Sequence, residues 1–108
     1  MQRLIAAAVL ASAAGVTHAG EAVVAWSRQG CEMALVETSG HFGVILRLTE
    51  NRMDIGDKLE GDFESIDNIR NAKNLTSGED VMIRGVRYST SRKYVLQVMP
   101  KWCKAPKD

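Results

Sequence analysis

The sequence predicts an all-β domain of five or six short antiparallel strands, closed as a small barrel or stacked as a sandwich and stapled by one disulfide. Three observations carry this. Apolar and polar residues alternate with period two in several short stretches, the pattern of half-buried strands. Turn signals separate those stretches at roughly ten-residue spacing, as in small barrels and sandwiches. Two cysteines, Cys31 and Cys103, lie in the same part of the 108-residue chain. With no strong helical period, the pattern fits a barrel of the OB or SH3-like kind as well as a sandwich.

A different kind of segment precedes the first strand. Arg3 is the only charge in residues 1–19, an apolar run follows from Leu4 to Val16, and the segment ends Thr17-His18-Ala19. A positive start, a short apolar run and a small-x-small end make a cleavable signal peptide. Its 13 apolar or small residues fall short of the roughly 20 that span a bilayer. The expected organisation is a signal over 1–19 and one β-domain over 20–108, periplasmic or secreted after cleavage. No second apolar run follows, so an integral membrane protein is not expected.

The elements follow in order. Residues 22–27 form a short apolar run bounded by polar residues and suit a strand. Gln29-Gly30 signals a turn before a strand over 31–38, with Met33 and Leu35 on one face. Ser39-Gly40 reads as a hairpin turn. Over 41–48 the alternation is strict: Phe42, Val44, Leu46 and Leu48 share the apolar face, His41, Gly43, Ile45 and Arg47 the other. After a loop over 51–56, a strand over 57–64 would turn Leu59, Gly61 and Phe63 to the core. Gly61 inside it signals a bend or a close backbone approach. Residues 65–75 are rich in Asn and Asp and favour a turn and a short strand around Ile69. Residues 81–88 slip phase at Gly85, where a bulge would keep Val81, Ile83, Val86 and Tyr88 inside. A last strand over 94–99 would end at Pro100.

Covalent closure fits the size. The 89 residues after the signal can bury only a thin core, and exported domains of this size often carry a disulfide. Pairing Cys31 with Cys103 is worth roughly 4 kcal/mol on the chain-entropy model. It would link the start of the second strand to the end of the last.

Charge is balanced in sum and uneven in place. Without Arg3, 13 basic residues face 13 acidic ones. Residues 50–80 hold nine acids and four bases, and residues 81–108 hold seven bases and one acid. Such polarity can steer a partner or reflect complementary neighbouring strands.

Most catalytic constellations are missing. His18 leaves with the signal, so His41 is the single remaining histidine, which excludes a multi-histidine zinc site. It falls on the predicted outer face and reads as a surface residue. No P-loop, dinucleotide fingerprint or nucleophile elbow occurs. Asp54, Asp57, Glu60 and Asp62 gather four carboxylates of a type calcium uses, though not at EF-hand spacing; the plainer reading is a solvated strand edge guarded by charge. Tyr88, Tyr94 and Trp102 among basic residues resemble a nucleic-acid surface, but zero net charge and an export address oppose that partner. Trp26 and Trp102 read as core or rim residues beside the disulfide. Asn74-Leu75-Thr76 matches a glycosylation acceptor.

The expectation is an exported, non-catalytic binding or accessory module of a bacterial-type cell envelope, contacting another protein and using no cofactor. Its contact face would be Arg84, Arg87, Arg92 and Lys93, flanking the last predicted hairpin. A ligand or calcium carrier, and an envelope glycan or peptide hydrolase built on His41 or on the Asp54–Asp62 cluster, are the alternatives.

Overall fold

A computed structural model describes residues 20–103. The predicted signal, and the tail over 104–108, lie outside the described residues. Six strands form a closed barrel: β1 Gly20–Trp26, β2 Met33–Thr38, β3 His41–Arg47, β4 Lys58–Gly61, β5 Ile69–Asn74 and β6 Asp80–Ser89. Around the barrel they run β1-β2-β3-β6-β5-β4, and every neighbouring pair is antiparallel. Two three-stranded meanders are therefore sealed to each other, β3 on β6 and β1 on β4. The barrel excludes the sandwich alternative. It also corrects the reading of the acidic 57–64 stretch as a strand edge, because β4 is paired on both sides.

Local chemistry sets the corners. Ser39 and Gly40 turn β2 into β3, with Thr38 opposite His41 and Gly40 at φ 78°, a region glycine enters without a Cβ penalty. The turn over 65–68 leads into β5, as the Asn- and Asp-rich composition favours. Here the Asp67 N–H donates to the Gly85 carbonyl at 2.8 Å. Gly85 is required at this crossing: a Cβ there would collide with the Ser65 carbonyl.

Two cores sit back to back. Val24, Val36, Ile45, Leu59, Val81 and Ile83 fill the barrel, completed by Met53 and Phe63 from the loops beside β4. Leu35, Val44, Val95, Leu96 and Met99 form a second cluster with Cys31 and Cys103. Facing the two cores are alternate residues of the same strands. The face assigned to β3 is therefore corrected: Ile45 and Gly43 point inward, while Val44 and Phe42 point outward beneath a covering element. Leu48 lies past the strand and is 43 % exposed. The predicted bulge is present, since the register shifts between Val44 and Ile45 opposite Arg87 and Gly85. It keeps Tyr88 at the inner cluster but sends Val86 to the outer one.

The covering element is helical, which overturns the predicted strand over 94–99. Arg92–Leu96 form α1, and a 3-10 turn follows at Lys101–Cys103. Ser91 caps the helix: its side chain accepts from the Tyr94 N–H at 3.1 Å, as N-cap serines do. Val95, Leu96 and Met99 are buried together, at the spacing of one helix face rather than of a strand. Pro100 still ends the segment. With the barrel closed, no strand is left for residues 94–99 to pair with. The Cys31–Cys103 disulfide is present, with Cα atoms 5.4 Å apart across 72 residues. It joins the approach to β2 to the 3-10 turn, not to a last strand.

Candidate functional site

The four basic residues chosen from sequence divide into two places. Arg84 lies on the outer face of β6, its guanidinium 3.3 Å from the Asp67 carboxylate. Arg87 reaches α1 instead, where its guanidinium lies 4.3 Å from the Tyr94 ring centroid and Nη1 donates to the Tyr94 carbonyl at 3.0 Å. Arg92 and Lys93 occupy the first turn of that helix. The hairpin they were expected to flank does not exist; Arg87, Arg92 and Lys93 belong to a helix-on-barrel corner, and Arg84 stands apart.

On the 3-10 turn that follows α1 the structure holds an aromatic that sequence reasoning assigned to core or rim. Trp102 is 69 % exposed. The turn carrying it is tied down on several sides. Cys103 is bridged to Cys31, Trp26 Nε1 donates to the Cys103 carbonyl at 3.2 Å, and Arg28 Nη1 donates to the Trp102 carbonyl at 3.4 Å.

The carboxylates proposed for calcium do not converge. Asp54 pairs with Arg52 at 2.8 Å in the open. Asp57 Oδ2 accepts from the Asp54 N–H and from Asn74 Nδ2, both at 2.9 Å, which fixes the turn before β4. Glu60 stands on β4 opposite Lys73 and Glu21. Asp62 accepts from the Ser65 hydroxyl at 2.9 Å and from the Glu64 and Ser65 N–H groups, with Arg70 Nε 3.3 Å away. Burial works to raise its pKa, but the Ser65 hydroxyl, the two N–H donors and Arg70 together hold it below the ordinary value. Among the described residues no three His, Cys, Asp or Glu side chains are grouped to hold a metal ion. Asn74 of the glycosylation-like triplet is fully buried; its Oδ1 accepts from the Thr76 and Ser77 N–H groups, so the folded chain does not present it.

A cleft of about 590 Å³ lies at one mouth of the barrel. Gly20 of β1 and Gly61 of β4 are paired there, and both follow the inward phase of Ala22 and Leu59. Neither carries a side chain to fill the mouth. Across the opening, His41 and Tyr88 stack with centroids 5.0 Å apart and planes 5° from parallel, and the Tyr88 hydroxyl shares a 2.8 Å hydrogen bond with Thr38 Oγ1. His41 therefore lies on the inner phase of β3 and lines the cleft, correcting its assignment to an outer surface. Of the acidic stretch over 54–62, Asp62 lines the same cleft as His41, whereas Asp54, Asp57 and Glu60 do not. The signal that could have found this site is the pair of glycines, but their pairing is visible only once the barrel closes.

A second recess, of about 420 Å³, is bordered by Arg28, Arg47 and Arg52. Each is already engaged: Arg28 with Trp102, Arg52 with Asp54, and Arg47 with the Thr49 and Asn51 carbonyls at 3.0 Å.

Fold and site define a class, the small disulfide-closed β-barrel with a helical cap on one side and an open mouth. Comparison of the chain with protein-family models, curated proteins and solved structures finds no match.

Proposed function

We propose that this chain is an exported, non-catalytic binding module of a cell envelope, and that it contacts a protein partner through its helical cap, α1 and the 3-10 turn. The observation that carries the reading is Trp102, an indole exposed on a turn that is held by a disulfide and by two hydrogen bonds to its carbonyls. Trp, Tyr and Arg dominate the energetics of protein interfaces. A ring presented on an ordered turn loses little freedom on binding. Tyr94 is 48 % exposed and stacked on Arg87, and Arg92 and Lys93 add positive charge beside it. Such a surface suits a partner with an acidic, partly apolar face. The export address rests on the signal-like segment at 1–19.

The test is crosslinking of the tagged protein inside its own envelope, with identification of what it captures. One abundant protein is expected, with recovery reduced roughly thirtyfold by Trp102→Ala if the indole is a hot spot of about 2 kcal/mol, and also reduced by the double reversal Arg87→Glu/Arg92→Glu. Capture that neither change alters, or capture of glycan fragments in place of protein, overturns the reading.

A further inference from the structure

From the mouth of the barrel we infer a second binding site, for a small organic cation carrying primary amines, seated between the His41–Tyr88 pair and the carboxylates of the rim. The space exists because Gly20 and Gly61, paired at this mouth on the inward phase of their strands, carry no side chains to fill it. Its volume of about 590 Å³ lies in the range of pockets that take small ligands. Phe63, only 4 % exposed, closes the bottom.

The sign of the ligand follows from the lining. Glu21, Asp62 and Glu64 border the cleft, and among the described residues no Lys or Arg does. Arg70 offsets Asp62, so the net negative charge comes from Glu21 and Glu64, whose carboxylates have no ion-pair partner among the described residues. On the facing wall, His41 and Tyr88 lie parallel as a two-ring slab. Aromatic faces attract ammonium groups, most strongly where water is partly excluded. Thr38 and Tyr88 are held together by their shared hydrogen bond, and their oxygens retain free lone pairs to accept from an ammonium. A diamine or triamine would place one ammonium against the rings and another at the acidic rim that Glu21 and Glu64 border. None of the lining residues belongs to α1 or to the 3-10 turn, so this site stands or falls independently of the protein-binding face.

Spermidine is the probe, titrated into isotope-labelled protein and followed by amide chemical shifts. Saturable shifts confined to the amides around Thr38, His41, Gly61–Ser65 and Tyr88 are expected. The double variant Glu21→Gln/Glu64→Gln should weaken the apparent affinity about tenfold, from the loss of two exposed charge contacts. Both side chains are exposed, and an otherwise unchanged spectrum verifies that the variant is folded. N-acetylglucosamine and glutamate are the controls. The inference is overturned by the absence of saturation at millimolar spermidine, by shifts spread over the whole acidic surface, by affinity that the double variant leaves unchanged, or by stronger binding of either control.

Discussion

Val44 and Ile45 are consecutive residues of β3, both fully buried, and they belong to different cores. Ile45 points into the barrel; Val44 points outward beneath α1 and the disulfide. Truncation should therefore respond differently to reduction of Cys31–Cys103. In the oxidised protein Ile45→Ala should cost about 2–5 kcal/mol, and Val44→Ala roughly 2 kcal/mol. After reduction the helical cap is held less firmly, so the Val44→Ala cost should shrink while that of Ile45→Ala stays. Urea unfolding of both variants, oxidised and reduced, forms the cycle that reads this coupling; equal changes at the two sites would show that the clusters are one core.

Gly85 and Gly43 both face inward on the seam between β3 and β6, but they do not have equal room. A Cβ at Gly85 runs into the Ser65 backbone, whereas one at Gly43 comes 3.2 Å from Tyr88 Cδ1, a ring that can shift. Gly85→Ala should lower stability by about 1–3 kcal/mol, the range for overpacking, and displace the 65–68 turn. Gly43→Ala should cost less and disturb the His41–Tyr88 stack. The ranking is read from denaturation midpoints.

Asn74 is the one fully buried polar side chain among the described residues, and it holds two turns together through Asp57, Thr76 and Ser77. Asn74→Ala leaves those partners unsatisfied, which should cost about 1–3 kcal/mol. Asn74→Asp is the sharper probe. It sets a second carboxylate against Asp57 where the amide now donates at 2.9 Å, so the variant should be least stable at neutral pH and regain part of the loss on acidification. Thermal unfolding across pH distinguishes that pattern from a general loss of packing.

Asp62 predicts an acid dependence of known sign. Its folded pKa lies below the ordinary value of 3.8, so between the folded and unfolded pKa values the unfolded chain binds more protons and stability rises with pH. The contribution is fully present above the unfolded pKa and is lost as pH falls through the folded one. Asp62→Asn should flatten the stability curve below about pH 4 and free the turn over 62–65. An unchanged acid slope in that variant would assign the dependence to other carboxylates.

Much of the barrel was legible because a strand half buried in a core writes its period into the chain. The turn at Ser39-Gly40, the bulge at Gly85 and the close approach at Gly61 each had a local chemical cause that sequence displays. The face assignment of β3 failed for a definite reason. Both of its faces are covered, so Val44 and Ile45 are equally apolar and alternation does not distinguish inside from outside. Residues 94–99 failed for a related one. Tyr94, Leu96 and Val98 fit period 2 while Val95, Leu96 and Met99 fit period 3.6 in so short a run, and the choice fell to whether a strand remained to pair with. The candidate site was barely legible. His41, Tyr88 and Thr38 come from three strands and are brought together by register alone.

By itself, then, the sequence determined the all-β class, the five strong stretches from which most of the strands are built, the single covalent link and the balanced but polarised charge, because these depend on composition and near-neighbour pattern. Tertiary structure decided that the sheet closes as a barrel, that a helix rather than a seventh strand covers its outer face, that Trp102 is presented rather than buried, and that two glycines leave one mouth open. Each of those outcomes depends on groups 40 or more residues apart along the chain meeting in space, as Gly20 meets Gly61 and Trp26 meets Cys103. A contact of that range leaves no period in the sequence on either side of it.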